Sequence, residues 1–450
     1  MDGTTDRFTG FVRRARDAGH LVVQPRMGFG ELHRMRAGLR AVRDADATTV
    51  GTVTLDSYTR CHEDGAALRA LRERPADLNG FPLLAHGVPA VRTLLQEVAS
   101  ADFPVQIRHG TPRPLRLLRA MAEAGADATE GGPVSYCLPY GRVPLARAVA
   151  EWSAGCELLA ARPVPPHVET FGGCMLGQLC PPSLLVALSV LEAIFFREHG
   201  LRGISLSYAQ QVHPGQDLEA LAALRRLADE RLSGNAHHIV LYTFMGVFPR
   251  TGHGSRRLLA DSARLAVRGG AERLVVKTPA EAHRIPTVGE NVAALAHAAR
   301  AAEAEAAGAA GTGAARTGAE AAGGVAPWTP TESGLYEEAR TLVDAALEPG
   351  GPGGTGATVG ACLLRAFARG ILDVPYCLHP DNANRTRATI DATGALGWSR
   401  AGGMPVTPAP TAAAAPVTAA QLTELLGFNR RRFDGRSPGA PYGAPYGRAS

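Results

Sequence analysis

The chain has 450 residues, 45% of them apolar, and a formal net charge of +5, which leaves room for one large domain with an appendage and an ordinary core. Its basic residues are scattered, with no block beyond Arg430–Arg432, which speaks against a nucleic-acid partner. No signal-peptide pattern opens the sequence, the most apolar run (184–196) carries Glu192 and is too short for a bilayer, and seven cysteines without a CxxC pair suggest neither a disulfide framework nor a zinc knuckle, so a cytoplasmic protein without a membrane partner is expected.

In chain order, a charged helix is predicted over 1–20, then a strand HLVVQPR ending in Arg26 and a helix over 31–44. A second strand over 48–56 leads into Asp56-Ser57-Tyr58-Thr59-Arg60, followed by helices over 64–74 and 88–99. Between those helices LNGFPLLAHG is the weakest strand candidate. The strand FPVQIRHGTP and the strands over 126–130, 167–171, 203–208, 238–245 and 273–277 then alternate with helices over 114–124, 144–161, 182–199, 216–232, 256–268 and 288–305. Eight or nine strands alternating with helices predict an α/β fold, a closed (β/α)8 TIM barrel with a C-terminal extension. An open nucleotide-binding sheet is the rival, but Gly28-Phe29-Gly30 lacks the third glycine of its fingerprint. Accordingly residues 1–299 are read as the catalytic barrel and 300–330 as an Ala/Gly-rich low-complexity insertion. Residues 331–400 are read as an α-rich extension and 401–450 as a Pro/Ala/Gly-rich, partly disordered tail.

A barrel's active site lies at the C-terminal ends of its strands. Here those ends carry Arg26, Arg60, Arg108 with His109, Glu130, and Lys277 with Glu281. The stretch from Ala126 to Tyr140, ADATEGGPVSYCLPY, adds two glycines and two phenols, Tyr136 and Tyr140, right after Glu130. Arginines converging on one mouth need an anion, and their planar forks suit carboxylates. Three of them with one carboxylate and two tyrosines match an amino dicarboxylic acid, its ammonium group facing Glu130. The alternatives are solvated ion pairs for each arginine and a surface i,i+4 pair for Lys277 and Glu281. The histidines show no metal-ligand spacing, so no metal is expected. No GxSxG elbow occurs and Cys137 has no evident His or Asn context, so nucleophilic hydrolysis is not supported.

At these residues the sequence resembles the large (epsilon) subunit of glutamate mutase, also called methylaspartate mutase. The resemblance runs from about residue 10 to about residue 400 through QPRMG (24–28), DSYTR (56–60), LNGFP (78–82), RHGTP (108–112), EGGPVSYCLPY (130–140), MGVFP (245–249) and VKTPAEA (276–282). It implies a (β/α)8 barrel and an isomerase that uses adenosylcobalamin to interconvert L-glutamate and (2S,3S)-3-methylaspartate by a radical route. Methylaspartate from such an enzyme serves glutamate fermentation or natural-product assembly, and the biased composition favours the second. It further implies a small cobalamin-binding sigma subunit, which supplies the cobalt-ligating histidine from a D-x-H-x-x-G motif absent from this sequence. Two copies of this chain would sit within a heterotetramer. By the same resemblance Arg26, Arg60 and Arg108 would clamp the substrate carboxylates, with His109 lining the pocket. Glu130 would be the catalytic carboxylate facing the amino group, with Tyr136 and Tyr140 bonding the carboxylates. Gly28, Asn79, Pro139 and Phe248 would contact the cofactor, and Lys277, Glu281 and Ile285 would surround its adenosyl group. Val247 departs from the family by standing where a glycine is usual. The competing functions are a barrel lyase acting on an amino dicarboxylic acid without cobalamin, and a non-catalytic assembly subunit.

Overall fold

The computed structural model describes residues 6–139, 141–171, 179–310, 334–348, 357–408 and 418–435. Eight parallel strands form one sheet: β1 (Val22–Pro25), β2 (Gly51–Thr54), β3 (Val105–Arg108), β4 (Ala128–Glu130), β5 (His167–Glu169), β6 (Gly203–Ala209), β7 (Ala236–Tyr242) and β8 (Arg273–Val276). Their order is β1-β8-β7-β6-β5-β4-β3-β2. The sheet closes on itself where Val23 N–H donates to the Thr48 carbonyl (2.9 Å) and Thr54 N–H to the Met27 carbonyl (2.8 Å). A helix follows every strand, ending with Val288–Ala310 after β8. This is the predicted (β/α)8 barrel.

The weak strand candidate at 79–87 is not a stave of the barrel. Phe81 makes one lone bridge to Leu55, and Leu83–His86 is a single helical turn. The physical reason is local: Pro82 has no N–H to give a ladder.

The barrel interior is unusually polar. Gln24 Nε2 on β1 donates to Thr52 Oγ1 on β2 (2.8 Å), and Gln106 Nε2 on β3 to Glu169 Oε2 on β5 (3.2 Å). Arg273 on β8 is fully buried and reaches Gln24, Glu169 and, at 3.2 Å, Ser205 Oγ. Bonds between non-adjacent strands can pass only through the lumen, so these side chains fill it, and each buried group has the partner that burial demands.

The N-terminal helix Arg7–Asp17 supplies a plug for this lumen. Asp6 caps it, accepting from Thr9 N–H at 2.8 Å, and Thr9 Oγ1 lies 2.9 Å from His167 Nδ1. The fully buried Phe8 stacks on His167 (5.2 Å) and His238 (6.5 Å), with the Arg273 guanidinium 4.9 Å above its ring. Burial, together with Arg273, pushes both imidazoles well below their ordinary range, so they stay neutral. Phe8→Ala is expected to cost about 3–5 kcal/mol, read as a lower urea midpoint, because it opens a cavity under a buried guanidinium. A midpoint equal to the wild type would remove the plug role.

Beyond the barrel, helices Leu335–Leu347 and Val359–Arg369 pack on the apolar helix Pro182–Glu198. An antiparallel hairpin follows, β9 (Arg387–Ile390) and β10 (Leu396–Arg400), pinned where Trp398 Nε1 donates to Glu338 Oε1 (2.8 Å). Two short helices, Ala419–Leu426 and Phe428–Phe433, lie within the 401–450 segment, and Asp434 accepts from the Arg250 and Thr251 amides, each at 3.0 Å. No described helix is long and apolar enough to cross a membrane.

Candidate active site

β3 ends on Arg108 and the adjacent β4 on Glu130. Arg108 is only 4% exposed, and its Nε lies 2.7 Å from Glu130 Oε2. Its guanidinium sits 5.3 Å from the Tyr242 ring centre and 5.9 Å from that of Phe171. Burial opposes its charge, but Glu130, Tyr242 and Tyr136 outweigh burial and hold its proton more firmly than usual. Nη1 of the same group is buried without a hydrogen-bond partner among the described residues. A desolvated guanidinium nitrogen with nothing to donate to costs free energy, unless a ligand oxygen completes it. Glu130 accepts from the Tyr136 hydroxyl at Oε1 and from the Tyr242 hydroxyl at Oε2 (2.8 Å).

The loop after Glu130 owes its path to two glycines. Gly131 has φ +134°, and a Cβ there would meet Trp152 and Tyr136 at 2.6 Å. A Cβ on Gly132 would lie 2.1 Å from the Glu192 carboxyl group. Glu192, the fully buried acid of its apolar helix, accepts from the Val134 (3.0 Å) and Ser135 (2.8 Å) amides and so anchors the loop that presents Tyr136. Burial raises this carboxyl from 4.5 to about 7, despite those amides. The folded chain therefore binds more protons than the unfolded one between these values, so stability falls as pH rises from about 4.5 to about 7. Asp217, also raised to about 7 by burial, adds to the same slope. Glu192→Gln is expected to flatten the slope in urea midpoints measured across that window. An unchanged slope would refute the assignment.

Arg26 follows β1 directly, Arg60 lies on the short helix Ser57–Cys61 after β2, and Arg108 ends β3. Arg26 Nη1 pairs with Glu281 Oε2 at 2.7 Å, joining the ends of β1 and β8. Glu281 also accepts from Thr278 N–H (3.0 Å), so Arg26 and its own turn hold it, and Lys277 is buried, unlike the surface residue of the i,i+4 alternative. Arg60 donates to the Asp56 carbonyl and Ser57 Oγ (both 3.3 Å) and has no carboxylate partner among the described residues. A Cβ on Gly110, two residues past Arg108, would lie 3.0 Å from Arg60 Cδ, which places Arg60 against the end of β3. Asn79 Oδ1 accepts from Ser57 N–H (2.9 Å). Gly28 has no room for a side chain, since a Cβ would come 2.2 Å from the Thr54 carbonyl oxygen. Lys277 Nζ sits 4.5 Å from the centre of the Phe248 ring. Ile285 is 46% exposed. Pro139 is half-buried, and Tyr140 lies outside the described residues. His109 is fully buried, edge-on to Tyr136 (5.1 Å) and beside Trp152 (5.5 Å). Burial, then His62 and Arg60, push it down to about 3, so it is neutral, and its Nε2 has no partner among the described residues.

Three contributors went unread in the sequence. Glu169, Tyr242 and Arg273 join in a chain beneath Glu130: Arg273 pairs with Glu169, and the Tyr242 hydroxyl touches both Glu169 and Glu130. For two of them a signal was available, because Glu169 and Tyr242, within HVETF and HIVLYTFM, end β5 and β7 as Glu130 ends β4; Arg273 opens its strand and gave no such signal. Cys137 does have a histidine beside it. His379 Nε2 lies 3.8 Å from its Sγ, a neighbour brought from 242 positions away. The thiol is nevertheless inert: it donates to the Val143 carbonyl (3.1 Å), and burial pushes it up to about 12.

The fold and these side chains define a (β/α)8-barrel protein with a buried arginine–carboxylate centre at its mouth. The sequence profile of the methylaspartate mutase E chain matches residues 4–415. The chain belongs to that family, a family of isomerases. It is 31% identical over 376 residues to the glutamate mutase epsilon subunit of Haloarcula marismortui, covering 81% of this chain and 72% of that one. It is 30% identical over 392 residues to the glutamate mutase epsilon subunit of Desulfitobacterium hafniense, covering 84% and 76%. The glutamate mutase epsilon subunit of Escherichia coli O157:H7 is 27% identical over 446 residues, covering 96% of this chain and 86% of that one.

Proposed function

We propose that this chain is the catalytic large subunit of an adenosylcobalamin-dependent mutase that interconverts L-glutamate and (2S,3S)-3-methylaspartate. The observation that carries the reading is the buried Arg108, which has a guanidinium nitrogen without a partner beside a carboxylate and two phenols, within a family of carbon-skeleton mutases. Arg108 and Arg60 bind the substrate carboxylates, and Glu130 orients the ammonium group. Arg26 joins the clamp by exchanging Glu281 for substrate. Tyr136, already donating to Glu130, keeps that carboxylate aimed, and His109 lines the pocket; Tyr140, outside the described residues, is assigned to bonding a substrate carboxylate.

Incomplete polar groups at the mouth support this cofactor. Arg26 Nε, Thr54 Oγ1 and Thr243 Oγ1 are buried and without hydrogen-bond partners among the described residues. They belong to the ends of β1, β2 and β7, which is the arc that also carries Gly28, Asn79, Phe248, Lys277, Glu281 and Ile285. Polar atoms left incomplete along that arc suit a large polar ligand, and the residues named would hold it. When bound, adenosylcobalamin supplies a 5′-deoxyadenosyl radical by homolysis of its cobalt–carbon bond. The chain's own residues then do positioning work: they hold both carboxylates of a fragmenting substrate and exclude water. The relatives are epsilon subunits by name, which points to a multi-subunit enzyme. We assign the cobalt-ligating histidine to a small sigma partner, with two of each chain per assembly in the cytoplasm.

The test mixes this chain with a small D-x-H-x-x-G cobalamin-binding subunit, adenosylcobalamin and L-glutamate, and measures 3-methylaspartate. Product that depends on all components is expected. Cofactor bound but no product would reject the function.

A further inference from the structure

The Tyr242 hydroxyl lies between two carboxyl groups, 2.8 Å from Glu130 Oε2 and in hydrogen-bond contact with Glu169 Oε1. All three residues are buried: Tyr242 0%, Glu169 0% and Glu130 1% exposed. A phenol has one proton to donate, and an ionised carboxylate only accepts. Two oxygen–oxygen hydrogen bonds need two protons. If both carboxyls were ionised, one of these contacts would set two acceptors together in a dry site, at a cost of several kcal/mol at the effective dielectric of such interiors (roughly 332/(ε·r) with ε about 20).

Charge by itself does not demand the extra proton, because Arg108 serves Glu130 and Arg273 serves Glu169. The oxygen count demands it. Further donors also face these carboxyls: Tyr136 to Glu130 Oε1 and Gln106 to Glu169 Oε2 at 3.2 Å. With the added proton, the two arginines and two carboxyls carry a net single positive charge. That complements an amino dicarboxylic acid, whose two carboxylates and one ammonium sum to a single negative charge.

We propose that Glu130, Tyr242 and Glu169 share one acidic proton and that Glu169 is the positioning residue through which Glu130 meets the substrate's ammonium group as a carboxylate. The exchange balances without any co-reactant. The Glu130 O–H proton passes to Tyr242 Oη while the Tyr242 proton passes to Glu169, so the negative charge moves from Glu169 to Glu130 and nothing else changes. The proposal rests on the functional reading above only for the identity of the ammonium ligand.

The test has two arms. In the first, infrared difference spectra are taken on this chain alone at about pH 8, above the range in which Glu192 and Asp217 (both about 7) titrate. The wild type is expected to show the carbonyl stretch of a neutral carboxylic acid that shifts in heavy water. Tyr242→Phe removes the bridging phenol and Glu169→Gln removes the acid, so each is expected to lose that band. Wild-type and variant spectra that are identical in the carbonyl region overturn the proposal. Tyr242→Phe keeps the ring that packs edge-on to Phe171 at 5.4 Å, so the test survives a poorly folding Glu169 variant.

In the second arm, the enzyme assembled with its cobalamin-binding subunit, adenosylcobalamin and glutamate is assayed across pH. Glu169→Gln is expected to raise KM for glutamate about tenfold, to change kcat less, and to shift the acid limb of kcat/KM. A purely structural role would lower the unfolding midpoint and leave the limb in place, and that outcome also overturns the proposal. If the wild type makes no methylaspartate while the band behaves as expected, the shared proton stands and only the functional reading falls.

Discussion

Arg108→Lys is expected to lower kcat/KM for glutamate about a hundredfold, roughly 2.7 kcal/mol of lost transition-state stabilisation, while the protein stays folded. Lysine keeps the charge that Glu130 Oε2 meets at 2.7 Å, so the buried pair is not orphaned. It loses the planar fork, and with it the Nη1 donor that has no partner among the described residues. A point charge on a flexible stem cannot hold a carboxylate bidentately, and a clamp that slips by an ångström costs about a hundredfold in a reaction governed by positioning. The measurement is steady-state formation of 3-methylaspartate, with an unfolding curve beside it. Unchanged turnover would dismiss the clamp; a collapsed midpoint would assign Arg108 to the core instead.

The second large effect comes from one methyl group. Gly132→Ala places a Cβ 2.1 Å from the Glu192 carboxyl. That carboxyl cannot simply swing aside, because it is fully buried and holds the Val134 and Ser135 amides. Overpacking costs about 1–3 kcal/mol, and breaking bonds to an acidic group adds about 1.5–3 kcal/mol. The loop that carries Tyr136 should then leave Glu130, with loss of activity as well as stability. Gly132→Ala combined with Glu192→Ala makes room for the methyl group. The double variant should be less destabilised than the sum of the two single changes. Strict additivity in denaturant unfolding would show that the collision with Glu192 is not the cause.

Much of the barrel was legible because its signals are local. Each stave is a short apolar run bounded by polar turns, and each helix has its own periodic face, so HLVVQPR and RLVVK declare themselves without reference to each other. The residues at the strand ends were legible for the same reason, since a side chain that closes a barrel strand is already placed at the mouth. Arg108 and Glu130 are of this kind. What escaped depends on partners far apart in the chain. Arg26 and Glu281 pair across 255 positions, and Arg273 and Glu169 across 104. Glu192 in its apolar helix looked like an interruption, yet it is the anchor of a loop 57 positions earlier.

Fold class, family and the strand ends that carry Arg108 and Glu130 were readable from the chain alone, because strand period, glycine turns and motif order are properties of neighbouring residues. Which charge faces which was settled by folding: Glu281 takes Arg26, Tyr242 bridges two carboxyl groups, and Arg273 with its Gln24, Glu169 and Ser205 partners fills the lumen over a phenylalanine plug. Those choices follow from closing the sheet, which forces polar groups from distant strands into one dry volume where each must find a partner.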